Sequence, residues 1–207
     1  MIRTALVLTV LAMPAAAQVQ MAALNPKAAR LVDETVRTAG RLFPNLPAVR
    51  LTSAIGQTCG QGPASDLARY CTTTNLIYLA ADIDQALDAP AAAYLVAHQL
   101  AHAAQYRAGL VDQANAAGLG MELELQADCL AGVILARAHP GQRGAPSDWL
   151  PANALSMPHS GAEPLENSIA PAVPPASRDE WLDWGRGRGT AADCTVGDLG
   201  AKAFGPR

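Results

Sequence analysis

Apolar side chains recur along this chain at two spacings, which separate predicted helices from predicted strands. Spacings of three and four residues are typical of helices with a buried face, and they predict a helix over residues 26–42. An alanine-rich stretch that begins at Pro90 and a second strong helical run predict helices over residues 90–107 and 121–138. Proline or glycine beyond each segment favours these ends. A shorter amphipathic segment predicts a final helix over residues 178–186.

Two short segments instead have the pattern of strands. Residues 48–52 alternate between apolar and polar side chains, and residues 75–79 are rich in side chains that favour strands. We expect the two segments to pair in a small sheet. Residues 141–177 are rich in proline, glycine, serine and alanine without a period, which predicts a long loop-rich segment.

The N-terminus has the pattern of a secretory signal peptide. A positively charged start precedes the apolar run 4–13, and alanines follow it. We expect cleavage between Ala17 and Gln18, which leaves one domain over residues 18–207. An uncleaved anchor helix is the alternative, but the run is too short to cross about 30 Å of hydrocarbon comfortably. The expected product is exported, periplasmic or secreted, without stable membrane insertion.

The overall composition excludes two broad classes of protein. Hydrophobic residues make up 50% of the 207 residues and charged residues 16%, so the chain can bury a core and is not disordered throughout. The 15 basic and 18 acidic residues give a net charge of −3, and no run of Lys or Arg occurs. Nucleic acid is therefore not an expected partner.

Four cysteines lie in the predicted mature region. An even number in an oxidising compartment favours disulfides, and three pairings are possible on paper. Cys59 and Cys71 flank one short polar loop, so we favour the pairs Cys59–Cys71 and Cys129–Cys194. A cysteine zinc site is the alternative, but none of these residues forms a C-x-x-C pair.

The candidate chemistry lies on two of the predicted helices. His98 and His102 are four residues apart on an apolar helix, so both could bind one metal ion, with Glu124 on the next helix as a third ligand. Asp128, one turn further, could accept the outer N–H of a ligating histidine. This set suits Zn²⁺. The alternative is a pair of polar histidines satisfied in the core beside a solvated acidic face that includes Glu122.

These residues also resemble a known family. The segment His98–His102 and the segment 124–133, E-L-Q-A-D-C-L-A-G-V, are similar to the A-H-E-x-G-H and E-L-Q-A-D-C-x-A-G-x helices of neutral zinc metallopeptidases. The similarity extends to residues 58–60, to the residues around Cys71 and to residues 181–194. It implies an α+β, mainly helical zincin-like fold with a small β-sheet beside the metal-binding helix. It also implies one Zn²⁺ on the two histidines and the glutamate.

Two positions depart from the family pattern. Gln99 occupies the position where the family has the glutamate that acts as general base toward the attacking water. An amide has no useful basicity near neutral pH, so it cannot take the proton. Ala101 replaces the family's glycine, which narrows the space beside the metal.

Metal binding and hydrolysis are therefore separable in this chain. We expect an exported, zinc-binding, metallopeptidase-like protein with lost or strongly reduced activity, which binds a peptide or an unfolded protein segment. One alternative is an active zinc peptidase with a substitute base, such as Glu122 or a loop carboxylate. A further alternative is a structural role without catalysis.

Overall fold

Six helices and three strands form the part of the chain that the computed structural model describes, which is residues 23–58, 67–142, 150, 173–196 and 199. The helices are α1 (Pro26–Leu42), α2 (Ile83–Ala86), α3 (Ala89–Arg107), α4 (Leu110–Ala117), α5 (Gly120–Ala138) and α6 (Pro175–Arg188). The strands are β1 (Ala48–Thr52), β2 (Ala68–Cys71) and β3 (Leu76–Ala80). The α+β prediction is confirmed. The predicted signal peptide and most of segment 141–177 lie outside the described residues.

Local signals set the bounds of the first two long helices. The Asn25 side chain accepts hydrogen bonds from the backbone N–H groups of Lys27 and Ala28, which caps α1 at its first turn. Asp88 caps α3 in the same way through the N–H of Ala91. The three predicted long helices are confirmed to within one residue at each end, although α5 begins without a side-chain cap.

Two helices are buried on all sides and form the centre of the molecule. Every residue from 91 to 105 in α3 and from 123 to 135 in α5 is buried. Helix α3 packs against α1, α5 and β2, and α5 also packs against α6. A polar side chain on either central helix therefore needs a partner within the protein.

The sheet has the strand order β1–β3–β2. Strand β1 runs parallel to β3 with Val49 opposite Ile77, so the predicted pairing of these two segments is confirmed. Strand β2 runs antiparallel to β3 with Tyr70 opposite Ile77. The sequence pattern does not predict β2, because its four residues are all buried and show no alternation.

Two further short elements are absent from the predictions. Helix α4 lies between Gly109 and Gly118, both in the left-handed region at φ values of 74° and 70°. Glycine adopts that region without steric cost, and here it permits sharp turns on both sides of a helix of eight residues. The sequence alone suggests only a glycine-bearing connection at this place. Helix α2 is a single short turn.

Helices α5 and α6 approach each other at backbone distance. A Cβ atom added at Gly185 would lie 1.9 Å from the carbonyl oxygen of Cys129, and one added at Gly132 would lie 2.2 Å from that of Leu182. Helix α6 begins at Pro175, three residues before the expected start. Only glycine on both helices permits this approach, which brings the first turn of α6 to the centre of the molecule.

Three of the four cysteines of the chain lie within the described residues, and all three are disulfide-bonded. Cys129 in α5 is bonded to Cys194, which follows α6, across 65 residues of sequence. Cys71 is also disulfide-bonded. Cys59, the other member of the predicted Cys59–Cys71 pair, lies outside the described residues.

Among the helices that the structure describes, none combines the length and the apolar composition that crossing a bilayer requires.

Replacement of Gly185 by alanine tests the close approach of α5 and α6. The added methyl group would overlap the Cys129 carbonyl, so we expect Gly185→Ala to lower the free energy of unfolding by at least about 1–3 kcal/mol. Urea denaturation followed by circular dichroism measures this change. Gly187→Ala is the matched control, because its Cβ meets no atom within 4 Å and alanine favours the helix. Equal stability of the two variants would contradict the proposed packing.

Candidate metal centre

Three potential ligands from the two central helices converge in the interior. His98 and His102 lie one turn apart on α3, and Glu124 lies on α5; all three side chains are buried. The two Nε2 atoms are 2.9 Å apart. One Glu124 oxygen lies 3.3 Å from His98 Nε2, and the other lies 3.3 Å from His102 Nε2. The structure thus brings together the three residues that the sequence pattern nominates.

The donor atoms fit a zinc ion in chemistry and spacing. Ligands at ~2.0–2.2 Å in a tetrahedral arrangement lie about 3.3 Å from each other, which is close to the observed separations. Glu124 Oε1 has no hydrogen-bond donor among the described residues although it is buried. A buried carboxylate oxygen without a donor is costly, and a bound cation satisfies it. Two imidazoles and one carboxylate also leave a fourth position, as catalytic zinc sites do.

Both histidines are held in the orientation that turns Nε2 toward the centre. His98 Nδ1 lies 2.8 Å from Asp128 Oδ1, and His102 Nδ1 lies 2.9 Å from Gln105 Oε1. Both partners are acceptors, so each Nδ1 carries the proton and each Nε2 presents a lone pair. Two lone pairs and a carboxylate at such short range repel each other unless a metal ion or a proton lies among them.

Asp128 lies where the sequence pattern places it, behind a histidine ligand. Its Oδ1 atom accepts hydrogen bonds from His98 Nδ1 and from the Tyr94 hydroxyl, the latter at 2.8 Å. Burial together with the nearby Asp128 charge raises the pKa of Tyr94 well above its ordinary value, so the tyrosine stays a donor. Asp128 therefore fixes the orientation of the His98 ring.

Arg178, in the first turn of α6, joins the two carboxylates. Its Nη2 lies 3.2 Å from Glu124 Oε2, and its Nη1 lies 3.1 Å from Asp128 Oδ2. Burial alone would lower the pKa of the guanidinium, but Asp128, Tyr94 and Glu124 raise it, so the charge persists. The sequence reading missed this residue, because it lies 54 positions from Glu124 and no local pattern connects them. The only local signal for Arg178 is its place as a basic residue in the first turn of a helix, where acidic residues are more favourable.

The ionisable ligands also shift each other's pKa. Burial would lower the pKa of His98, but Asp128 and Glu124 offset that effect and raise the pKa overall. Burial would raise the pKa of Glu124, but His102 and His98 lower it well below its usual range. Glu124 is therefore ionised at neutral pH, and its negative charge favours a cation beside it.

Gln99 lies beside the ligands on α3 but points its amide oxygen at the sheet. The backbone N–H of Tyr70 in β2 donates to Gln99 Oε1 at 2.6 Å. Gln99 Nε2 is buried and has no hydrogen-bond acceptor within the described part of the chain. The part of the Gln99 amide without a hydrogen-bond partner among the described residues is therefore its NH₂ donor.

Gln105 is a second contributor that the sequence reading missed, although its position three residues after His102 puts it on the same helix face. Glu122, considered above as a substitute base, is only half-buried and does not belong to the converging group. The sequence pattern thus nominates the ligands and Asp128, while the contacts of Tyr94, Gln105 and Arg178 become visible only in the folded chain.

Comparisons with known proteins agree with this geometry. The model of one family, described as "Putative neutral zinc metallopeptidase", matches residues 27–145, which is more than half of the chain and includes all three potential ligands. Neither the curated proteins nor the solved structures include a significant match. On the strength of the family match, supported by the buried His-His-Glu group, the chain belongs to the neutral zinc metallopeptidase family.

Proposed function

We propose that this protein is an exported zinc-binding member of its family that has lost most or all of its peptidase activity and binds peptide or unfolded protein segments. The observation that carries the proposal is Gln99, an amide at the position of the general base, beside a complete set of metal ligands. Zn²⁺ in such a set supplies Lewis acidity toward a carbonyl and lowers the pKa of water. The residues of the chain must then supply the proton transfer.

Gln99 cannot carry out that transfer. Its oxygen already accepts the Tyr70 N–H, and an amide does not take up a proton near neutral pH. Positioned general-base catalysis contributes ~10²–10⁴ in rate, so its loss leaves little hydrolysis. Its NH₂ group is a hydrogen-bond donor rather than a base, and it is buried without an acceptor among the described residues. Family membership supports a peptide or unfolded segment as the occupant.

Export has separate support. The N-terminal segment 1–17 has the pattern of a signal peptide, and structural disulfides such as Cys129–Cys194 persist mainly in oxidising compartments. We propose a periplasmic or secreted location on these two grounds.

Removal of a histidine ligand tests the metal site. We expect about one zinc per wild-type chain and almost none in His98→Ala or His102→Ala, because two remaining ligands hold the ion weakly. Elemental analysis of untagged protein after dialysis against zinc measures the stoichiometry. His139→Ala is the control, since His139 contacts Thr35 far from the ligands in sequence and does not belong to the buried group. Full zinc occupancy in both ligand variants would refute the assignment.

Zinc affinity should depend on pH in a defined direction. Zinc binding needs the Nε2 lone pair of His98, and the pKa of His98 is raised above 6.5, so a proton competes already above that pH. We expect affinity to weaken by up to about tenfold per pH unit as the pH falls through the raised pKa, since one proton is displaced. Chelator competition between about pH 6 and pH 8 measures this slope. A zinc affinity that stays constant across this pH range would contradict competition between zinc and a proton at His98 Nε2.

Replacement of Gln99 by glutamate tests the loss of the base. The Tyr70 N–H can hold one carboxylate oxygen as it now holds the amide oxygen, which leaves the other oxygen to accept a proton. We expect Gln99→Glu to cleave casein at least ~10²-fold faster than wild type, in a chelator-sensitive manner.

The matched control for this gain is Gln113→Glu, which adds the same charge at an exposed position on α4 and should leave activity at the wild-type level. Chelator-sensitive cleavage by the wild-type protein at the rate of the Gln99→Glu variant would overturn the loss of function and favour a substitute base.

A further inference from the structure

A pair of buried glutamines continues inward from the second histidine ligand. Gln105 Oε1 lies 2.9 Å from His102 Nδ1, while Gln105 Nε2 donates to the Leu123 carbonyl at 2.8 Å and to Gln126 Oε1 at 3.0 Å. Both glutamines are completely buried. We call Gln105 and Gln126 the glutamine pair; none of the hydrogen bonds that the structure gives for it involves Gln99.

The far end of the glutamine pair contacts the C-terminal segment. Gln126 Nε2 donates to the backbone carbonyls of Cys194 at 2.9 Å and of Leu199 at 3.3 Å. Cys194 is disulfide-bonded to Cys129, one turn beyond Gln126 on α5. The covalent bond therefore holds one of the two acceptor carbonyls against the helix that carries Gln126.

Each amide has one permitted orientation. Rotation of the Gln126 amide by a half-turn would place its oxygen against two carbonyl oxygens, and rotation of Gln105 would place its oxygen against Leu123 O. Buried oxygens facing each other without a donor are costly. The backbone carbonyls thus fix Gln126, which accepts from Gln105, and Gln105 in turn presents only its oxygen to His102.

The orientation of Gln105 decides the tautomer of His102. An acceptor at Nδ1 requires the proton there and leaves the Nε2 lone pair available to a metal ion. Without this acceptor, His102 can carry its proton on Nε2 and donate it to Glu124 Oε1, 3.3 Å away, which lacks another donor in the described residues. In that tautomer neither His102 Nε2 nor Glu124 Oε1 is available to a metal ion, because the hydrogen bond between them uses both atoms.

We infer that the glutamine pair is a positioning device that selects the metal-binding tautomer of His102, and that the Cys129–Cys194 disulfide holds its far end. The inference rests on the zinc site of the proposed function and deepens it, because it makes the metal affinity depend on a disulfide outside the ligand set. Asp128 fixes His98 with a charge, whereas neutral amides fix His102 and depend on the C-terminal segment.

The test measures the tautomer in the metal-free protein and the zinc affinity in parallel. Nitrogen-15 NMR of labelled histidine should show His102 with its proton on Nδ1 in the wild-type protein. In Gln105→Leu we expect the proton on Nε2 and a zinc affinity reduced about 10–100-fold by chelator competition. Gln126→Leu and the double variant Cys129→Ala with Cys194→Ala should shift both readouts in the same direction by smaller amounts.

Two controls separate this effect from general damage. Gln113→Leu makes the same substitution at an exposed position, and Val32→Ala removes buried methyl groups from α1, a helix that carries neither glutamine. Val32→Ala should lower stability while leaving the tautomer and the zinc affinity at wild-type values. Circular dichroism establishes that each variant used for titration is folded.

Two results would overturn the inference. A wild-type His102 with its proton on Nε2 would refute tautomer selection without any variant being needed. Wild-type zinc affinity in both Gln126→Leu and the cysteine double variant would refute the role of the far end. The tautomer measurement uses no metal and no substrate. The proposed function would fail through a different result, either peptidase activity of the wild-type protein or the absence of bound zinc.

Discussion

The burial of two carboxylates in the middle of the protein is the constraint on which the rest of the structure depends. Glu124 and Asp128 both lie in a helix that is surrounded by protein, where an uncompensated charge is very unfavourable. Compensation comes from the imidazoles of α3 and from Arg178 of α6. These three helices must therefore meet at one point, and the site that results is a cation site because its interior is rich in lone pairs.

Close contact between α5 and α6 makes that meeting possible. Gly132 and Gly185 let the two backbones touch, which places Arg178 within reach of both carboxylates. The disulfide at Cys129 holds the segment after α6 to α5. The metal site is thus built from ligands on α3 and α5. It is supported by the charge of Arg178 and by the hydrogen bonds of Gln126 to the C-terminal segment.

In the proposed function, the difference between binding a metal and hydrolysing a peptide depends on one side chain, which leaves α3 in a different direction from the two histidines. His98 and His102 are a full turn apart and face α5, whereas Gln99, about 100° further around the helix, contacts Tyr70 in β2. The amide at position 99 therefore does not disturb the contacts among the three potential ligands. In the proposed function, this separation lets the protein keep its metal ion without a general base.

The long helices and the potential metal ligands can be predicted from the sequence without knowledge of the fold. The apolar period of α1, the apolar composition of α3 and α5 and the capping residues before α1 and α3 are local properties, and the i, i+4 spacing of His98 and His102 depends only on helix geometry. Strand β2 and helix α4 are too short for a period, so their existence depends on pairing with β3 and on the turns at Gly109 and Gly118.

The sequence by itself determined which residues could bind the metal and that an amide, Gln99, follows the first histidine, since both are matters of residue type and spacing along the chain. Only the tertiary structure decided that Arg178 joins Glu124 to Asp128 and that Gln105 sets the proton of His102. Those contacts join helices far apart in sequence or depend on which way an amide faces. No local pattern encodes either, because burial among particular neighbours alone makes one arrangement more stable than the others.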